Sequence, residues 1–235
     1  MTQSTQTPYV GHRILEAMHS AARYTDAVLA EARAAMPPAA TRILDFGAGD
    51  GVFVDRFCAE GVAVECVEPD PRLQVVLRSK AAEVFADIAD VDTAALDFAY
   101  TVNVLEHIAE IDQTCAALAR VIRPSGKLFV FVPAFEVLWT SLDDEVGHVR
   151  RFSRTTLRAP LERAGFIIEQ LRFFDSVGFP AGLGIRLLEK VGLFRYGGAS
   201  VGFYDRYLFP MRRELDRVLH RLVGKNLIAV ARKPG

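Results

Sequence analysis

The stretch Ile43-Leu44-Asp45-Phe46-Gly47-Ala48-Gly49-Asp50-Gly51-Val52 runs from apolar residues into three glycines at alternate positions. Residues 42–46 read as a short strand that stops at the glycines, 47–51 as a tight turn, and Val52–Ala59 as a helix. Glycines let the backbone turn sharply and come close to a ligand. A helix that opens directly behind them points free N–H groups at that ligand. Residues 62–67 read as a second buried strand, and Glu68 stands at its end. A carboxylate in that place can accept both hydroxyls of a ribose.

Working outward, residues 12–35 carry apolar positions at helical spacing and stop at Pro37-Pro38. A helix follows Glu68-Pro69-Asp70-Pro71 and runs to about residue 80. Further strands are expected at 83–86, Leu96–Val102, 127–132, 166–173 and 227–231, with helices at 112–122 and 155–164. This alternation predicts an α/β fold: a Rossmann-like, doubly wound, mostly parallel seven-stranded sheet with helical lid insertions. One domain over 1–235 is expected. Two pieces exceed ordinary connections: a lid at 133–154 and a cap insertion at 175–226. Both leave the sheet near its ligand end, so together they are expected to cover an acceptor pocket.

Charged residues make up 24% and hydrophobic residues 51%, with a net charge of -1. That balance excludes a disordered chain and gives no global signal for nucleic acid. Cys58, Cys66 and Cys115 form no CxxC pair and no metal-ligand spacing, so they read as reduced, buried thiols of a cytoplasmic protein with no metal site. The first residues show no basic start followed by an apolar core, and no run of about 18 apolar residues occurs. Locally, Arg206, Arg212, Arg213, Arg217, Arg221 and Lys225 outnumber Asp205, Glu214 and Asp216. That segment is either a solvated helix face or a basic amphipathic helix in peripheral contact with an anionic membrane.

A dinucleotide fingerprint spaces its glycines GxGxxG. Here the spacing is Gly47-x-Gly49-x-Gly51, with Asp45 ahead and Val52 where a third dehydrogenase glycine falls. The Asp-x-Gly-x-Gly-x-Gly run resembles motif I of the class I S-adenosylmethionine (SAM) dependent methyltransferases. Asn103-Val104-Leu105-Glu106-His107-Ile108 and Arg123-Pro124-Ser125-Gly126-Lys127 resemble later blocks of the same superfamily, with Ser125 in place of a glycine. Val132-Pro133-Ala134, Leu142-Asp143, the Gly147–Ser153 block and Ala164-Gly165-Phe166 look like a bacterial subgroup whose members often accompany glycosyltransferases and lipid or secondary-metabolite pathways.

The resemblance implies methyl transfer from SAM to a small-molecule acceptor. It places Asp45, Gly47, Ala48 and Gly49 on the methionine end, and Glu68 with Pro69 on the ribose. Asp87 meets the adenine amino group, Ile88 packs on the ring, Asn103 and Val104 line the sulfonium, and Tyr24 closes over the cofactor. A nicotinamide-dependent oxidoreductase and a non-catalytic SAM-binding partner protein remain the alternatives.

Methyl transfer needs alignment more than a protein nucleophile. An oxygen or nitrogen acceptor can also use a base, and His107 stands at the mouth of strand four, where it acts as base or caps the turn. As a base it gives a rate that rises through an imidazole pKa of about 6.5. His148 either contacts the acceptor or bonds within the lid; His12, His19 and His220 read as solvated. Arg150, Arg151, Arg154 and Arg158 either bind an acidic acceptor or pin the lid to Asp143, Asp144 and Glu145. The aromatic residues Phe173, Phe174, Phe179, Phe194, Tyr196, Phe203, Tyr204, Tyr207 and Phe209 build pocket, core or the interface of a homodimer; a monomer is equally compatible.

Overall fold

The computed structural model describes residues 21–193 and 198–235; His12, His19, Phe194, Tyr196 and the first part of the 12–35 helix lie outside them. Strands β1 (Ile43–Phe46), β2 (Val64–Val67), β3 (Glu83–Phe85), β4 (Leu96–Val102), β5 (Ile122–Pro133), β6 (Ile167–Phe174) and β7 (Asn226–Arg232) form one sheet in the order β3-β2-β1-β4-β5-β7-β6. The pairings among β1 to β5 are parallel, and β7 runs antiparallel to both β5 and β6. The chain therefore winds out from β1 in both directions. The crevice between β1 and β4 is the place where such sheets open to ligands.

Side chains alternate across the sheet with the period of two that a pleated strand imposes. Phe98 and Tyr100 of β4, with Phe129 and Phe131 of β5, join one core. Helices α1 (Ala22–Ala35) and α2 (Val52–Ala59) cover it through Val28, Leu29, Val54 and Phe57. Ala99, Leu128, Val130 and Val132 point the other way and pack under helices at Ile111–Val121 and Arg154–Arg163. The helix Pro71–Leu77 starts where it does because the Asp70 side chain accepts from Arg72 N–H at 2.9 Å and Pro71 opens the first turn.

Two expectations change. Strand β5 begins at Ile122, not at 127, and absorbs the 123–127 turn through an irregular register against β4. Ser125 sits there at φ 65°, while a side chain on Gly126 would press on the backbone of Arg123 and Leu96. Cys58 is exposed, although Cys66 and Cys115 are buried. The cap leaves the sheet from β6, its outermost strand, four positions along from β1. Among the described residues no helix is long and apolar enough to cross a membrane.

Candidate active site

A cavity of about 810 Å³ opens at the carboxyl ends of β1, β2, β3 and β4. Its floor is the glycine turn. Gly47 takes φ 81°, and a Cβ there would lie 2.4 Å from a Val104 methyl. Only glycine fits that backbone against that neighbour. The N–H groups of Gly47 and Ala48 both donate to the Val67 carbonyl, which locks the turn onto β2.

Asp45 and Glu68 flank this floor, both buried. The Asp45 Oδ2 atom is buried without a hydrogen-bond partner. Burial pushes its carboxyl up to about 8; the Tyr100 hydroxyl opposes the shift and Glu68 adds to it. Such a group gains most from an incoming cation. Glu68 accepts from Gly49 N–H at 2.8 Å and from Asp70 N–H at 2.9 Å, and Gln74 fixes its main-chain carbonyl. Burial raises its pKa against those two N–H donors. Each carboxylate oxygen keeps a second lone pair for a ligand hydroxyl.

Pro69, Asp87 and Ile88 continue the wall beyond Glu68. Asp87 caps a short turn by accepting from Ala89 N–H at 2.8 Å. On the opposite side stand Asn103, in the left-handed region at φ 53°, then Val104 and His107. Eleven of the thirteen residues expected at the site line the cavity, namely Asp45, Gly47, Ala48, Gly49, Glu68, Pro69, Asp87, Ile88, Asn103, Val104 and His107.

Tyr24 does not line it. Its hydroxyl donates to Asn226 at 2.9 Å, and its ring packs edge-on to Phe131 and Phe174. The cause is Asp205 of the cap, which accepts from Tyr24 N–H at 2.8 Å and ties α1 to the cap. His148 also stands outside the cavity wall. It packs against His107, with ring centroids 4.7 Å apart, and its Nδ1 bonds Asp143 at 2.7 Å.

Asp143 organises the lid. It accepts from Thr140 N–H at 2.8 Å and from two nitrogens of Arg151 at 2.8 and 2.9 Å. Burial opposes its ionisation, but His148 and Arg151 hold its carboxyl far below the usual range. Arg151 is thus a lid clamp. Arg150 donates to the Ala109 carbonyl, Arg154 lies over Phe173, and Arg158 pairs with Glu162.

His107 departs from an ordinary imidazole. Burial, and then His148, push it down to about 4, against the Gly147 backbone. The inflection near 6.5 expected of a simple base has no support here. Glu106 was missed as a site residue: it is fully buried, and burial pushes it up to about 8. Adjacent acid and imidazole in one block were the available signal, but nothing in the spacing announces burial of the acid.

Among the described residues the cap adds nothing to the cavity wall, and of the lid only Val146 reaches it. Instead the cap braces the lid. Phe179 meets Phe135 edge-on at 5.2 Å, and Ser141 bonds Glu189. Phe174, Tyr204 and Phe209 are core or part of its margin, whereas Phe203 and Tyr207 are exposed.

Comparison with known proteins gives the family. Residues 16–171 match the Methyltransferase domain family. An uncharacterized methyltransferase of Mycobacterium tuberculosis is 31% identical over 119 residues, covering 49% of this chain and 46% of that protein. A ubiquinone biosynthesis O-methyltransferase of Xanthomonas oryzae is 28% identical over 102 residues, covering 39% and 43%. The matched part spans less than half the length of these relatives. A SAM dependent methyltransferase from Archaeoglobus fulgidus superposes with a TM-score of 0.60 at 19% identity, over 88% of this chain and 94% of that one; at that identity the likeness shows the fold alone. The chain belongs to the methyltransferase domain family.

Proposed function

We propose that this methyltransferase-family protein binds SAM in the cavity at β1, β2 and β4 and methylates a hydrophobic small molecule. The observation that carries the reading is the unpartnered, buried Asp45 oxygen beside the glycine floor. A phosphate-binding turn has no use for a buried acid there; an ammonium group does. SAM supplies an electrophilic methyl on a cationic sulfur. Asp45 takes the ammonium, the Gly47–Gly49 backbone the carboxylate end, Glu68 the ribose hydroxyls, and Asp87 with Ile88 the adenine. Asn103 and Val104 hold the sulfonium end toward His107. The acceptor's lone pair then forms the bond to the methyl carbon as the carbon–sulfur bond breaks and its pair stays on sulfur. The chain's task is alignment and exclusion of water.

The cap supports a membrane-borne acceptor. Phe203, Tyr207, Met211, Leu215 and Val218 follow one another at steps of three or four residues, and all are exposed. Arg206, Arg213, Arg217 and Arg221 stand among them. An exposed apolar stripe beside arginines fits an anionic lipid surface. The Xanthomonas relative's name concerns ubiquinone biosynthesis, a lipid-soluble product, which points the same way. Two measurements test the reading. Methyl-labelled SAM incubated with the protein and a membrane lipid extract should place label in the organic phase. Phosphatidylglycerol vesicles should float the protein, with Val218→Glu reducing the floated fraction. Label that remains in water-soluble products, with no flotation, would exclude the lipid acceptor.

A further inference from the structure

Beside the donor cavity lies a group of side chains that cofactor binding leaves unused. Glu106, His107 and His148 can each offer one ligand atom, and these atoms lie within 4.8 Å of one another. Both Glu106 oxygens are buried without a partner, and so is Nε2 of His148. Oε1 and Nε2 face each other at 3.8 Å. A buried polar atom without a partner forfeits its hydration with no compensating bond, so a convergence of them calls for an occupant.

The surroundings hold the three in place. Asp143 bonds Nδ1 of His148, and Arg151 clamps Asp143. A carboxylate on the far nitrogen fixes the tautomer that leaves the Nε2 lone pair free, the outer-shell arrangement usual behind a metal-bound histidine. The Glu106 carbonyl accepts from Val149 N–H at 2.8 Å, which closes the lid onto the turn that carries Glu106 and His107. His107 also lines the donor cavity, so the group lies where an acceptor must meet the methyl.

The geometry points to a divalent-cation site formed by Glu106, His107 and His148, with open coordination positions for oxygen atoms of the acceptor. Two imidazoles and one carboxylate suit Mn²⁺, Co²⁺ or Zn²⁺ better than Mg²⁺ or Ca²⁺, which prefer oxygen throughout. Bonds of about 2.0–2.2 Å require the ligand atoms to close in by a fraction of their present separation. The site deepens the methyl-transfer reading and rests on it only for the acceptor. A bound cation polarises an acceptor hydroxyl and lowers its pKa. The proton leaves to solvent, the oxygen bonds the methyl carbon, and the carbon–sulfur pair goes to sulfur. An acceptor with two neighbouring oxygens, such as a catechol or a hydroxy acid, gains most by chelation.

The test uses the full chain after chelator treatment. Calorimetry with MnCl₂, CoCl₂ and ZnCl₂ should show one equivalent bound, and Co²⁺ should develop visible absorption bands. Glu106→Gln keeps the side-chain volume and should weaken binding by more than the about 10–100-fold that outer-shell changes cost. His148→Gln should do the same, and thermal melts verify that each variant is folded. A folded wild type that binds none of the three ions, or a Glu106→Gln variant with unchanged affinity, overturns the site; the orphans then share a proton. S-adenosylhomocysteine is titrated into the same samples without metal. If it binds and the ions do not, only the cation site fails. If the ions bind and it does not, the methyl-transfer reading fails and the cation site stands.

Discussion

The floor of the cavity and the lid opposite it are shaped by different forces. The 45–51 turn is held by its own backbone: Gly47 and Ala48 donate to Val67, and Gly51 N–H donates to Ala48. The lid is held by side chains that converge on one acid, Asp143, through Thr140, His148 and Arg151. Backbone order is spread over several bonds and is specified locally. Side-chain order that passes through a single buried charge is brittle, because breaking one partner strands the others.

The contrast is sharpest at Asp143. Asp143→Ala should cost about 3–5 kcal/mol, the penalty for removing one partner of a buried ion pair, read by urea denaturation. S-adenosylhomocysteine affinity should change far less, because the floor does not depend on the lid. A parallel loss of both would erase the distinction.

Gly47→Ala attacks the other half. The added carbon meets Val104 and an unfavourable φ, so about 1–3 kcal/mol of overpacking is expected, with cofactor binding lost before stability. Val104→Ala in the same chain should restore part of it. No rescue would mean that the backbone angle, not the contact, excludes a side chain.

Why one half could be read in the sequence and the other not follows from these forces. A turn that needs glycine at 47 and 51 writes that need into consecutive residues, and Glu68 falls at the end of the next strand. The doubly wound sheet is legible for the same reason: apolar strands alternate with helices over 42–174. The contacts of Tyr24 with Asp205 and Asn226 join residues far apart in the chain, and no local pattern encodes them. The cap was expected over the pocket because it leaves the correct end of the sheet. Its strand, however, is the outermost one, and that order appears only once β7 inserts between β5 and β6. Arg151 could be read as a lid clamp, since acids lie close in sequence; the burial of Glu106 could not.

A smaller effect separates function from stability on the floor itself. The Asp45 carboxyl is raised by burial to about 8, above its unfolded value of about 3.9. The folded chain therefore binds more protons between those values, and this group's contribution to stability falls as pH rises through that window. Asp45→Asn should remove that decline and raise the ligand-free melting temperature at pH 8. It should also weaken S-adenosylhomocysteine by about 1.5–3 kcal/mol, the worth of a hydrogen bond to a charged group. A variant that gains stability without losing affinity would take the ammonium away from Asp45.

Phe179→Ala should have the smallest effect. It removes one edge-on aromatic contact worth about 0.5–1.5 kcal/mol, loosens the brace behind the lid, and raises the acceptor KM with cofactor affinity intact. Equal loss of both would make the cap part of the donor site.

The most direct measurement is a calorimetric titration of S-adenosylhomocysteine into the wild type and Glu68→Ala. Glu68 is buried at the end of β2 and faces the cavity from beside the glycine floor. One molecule should bind per chain, and the variant should lose about 1–3 kcal/mol of that affinity with its fold retained. No binding to the wild type, or an unchanged dissociation constant in a folded variant, would contradict it.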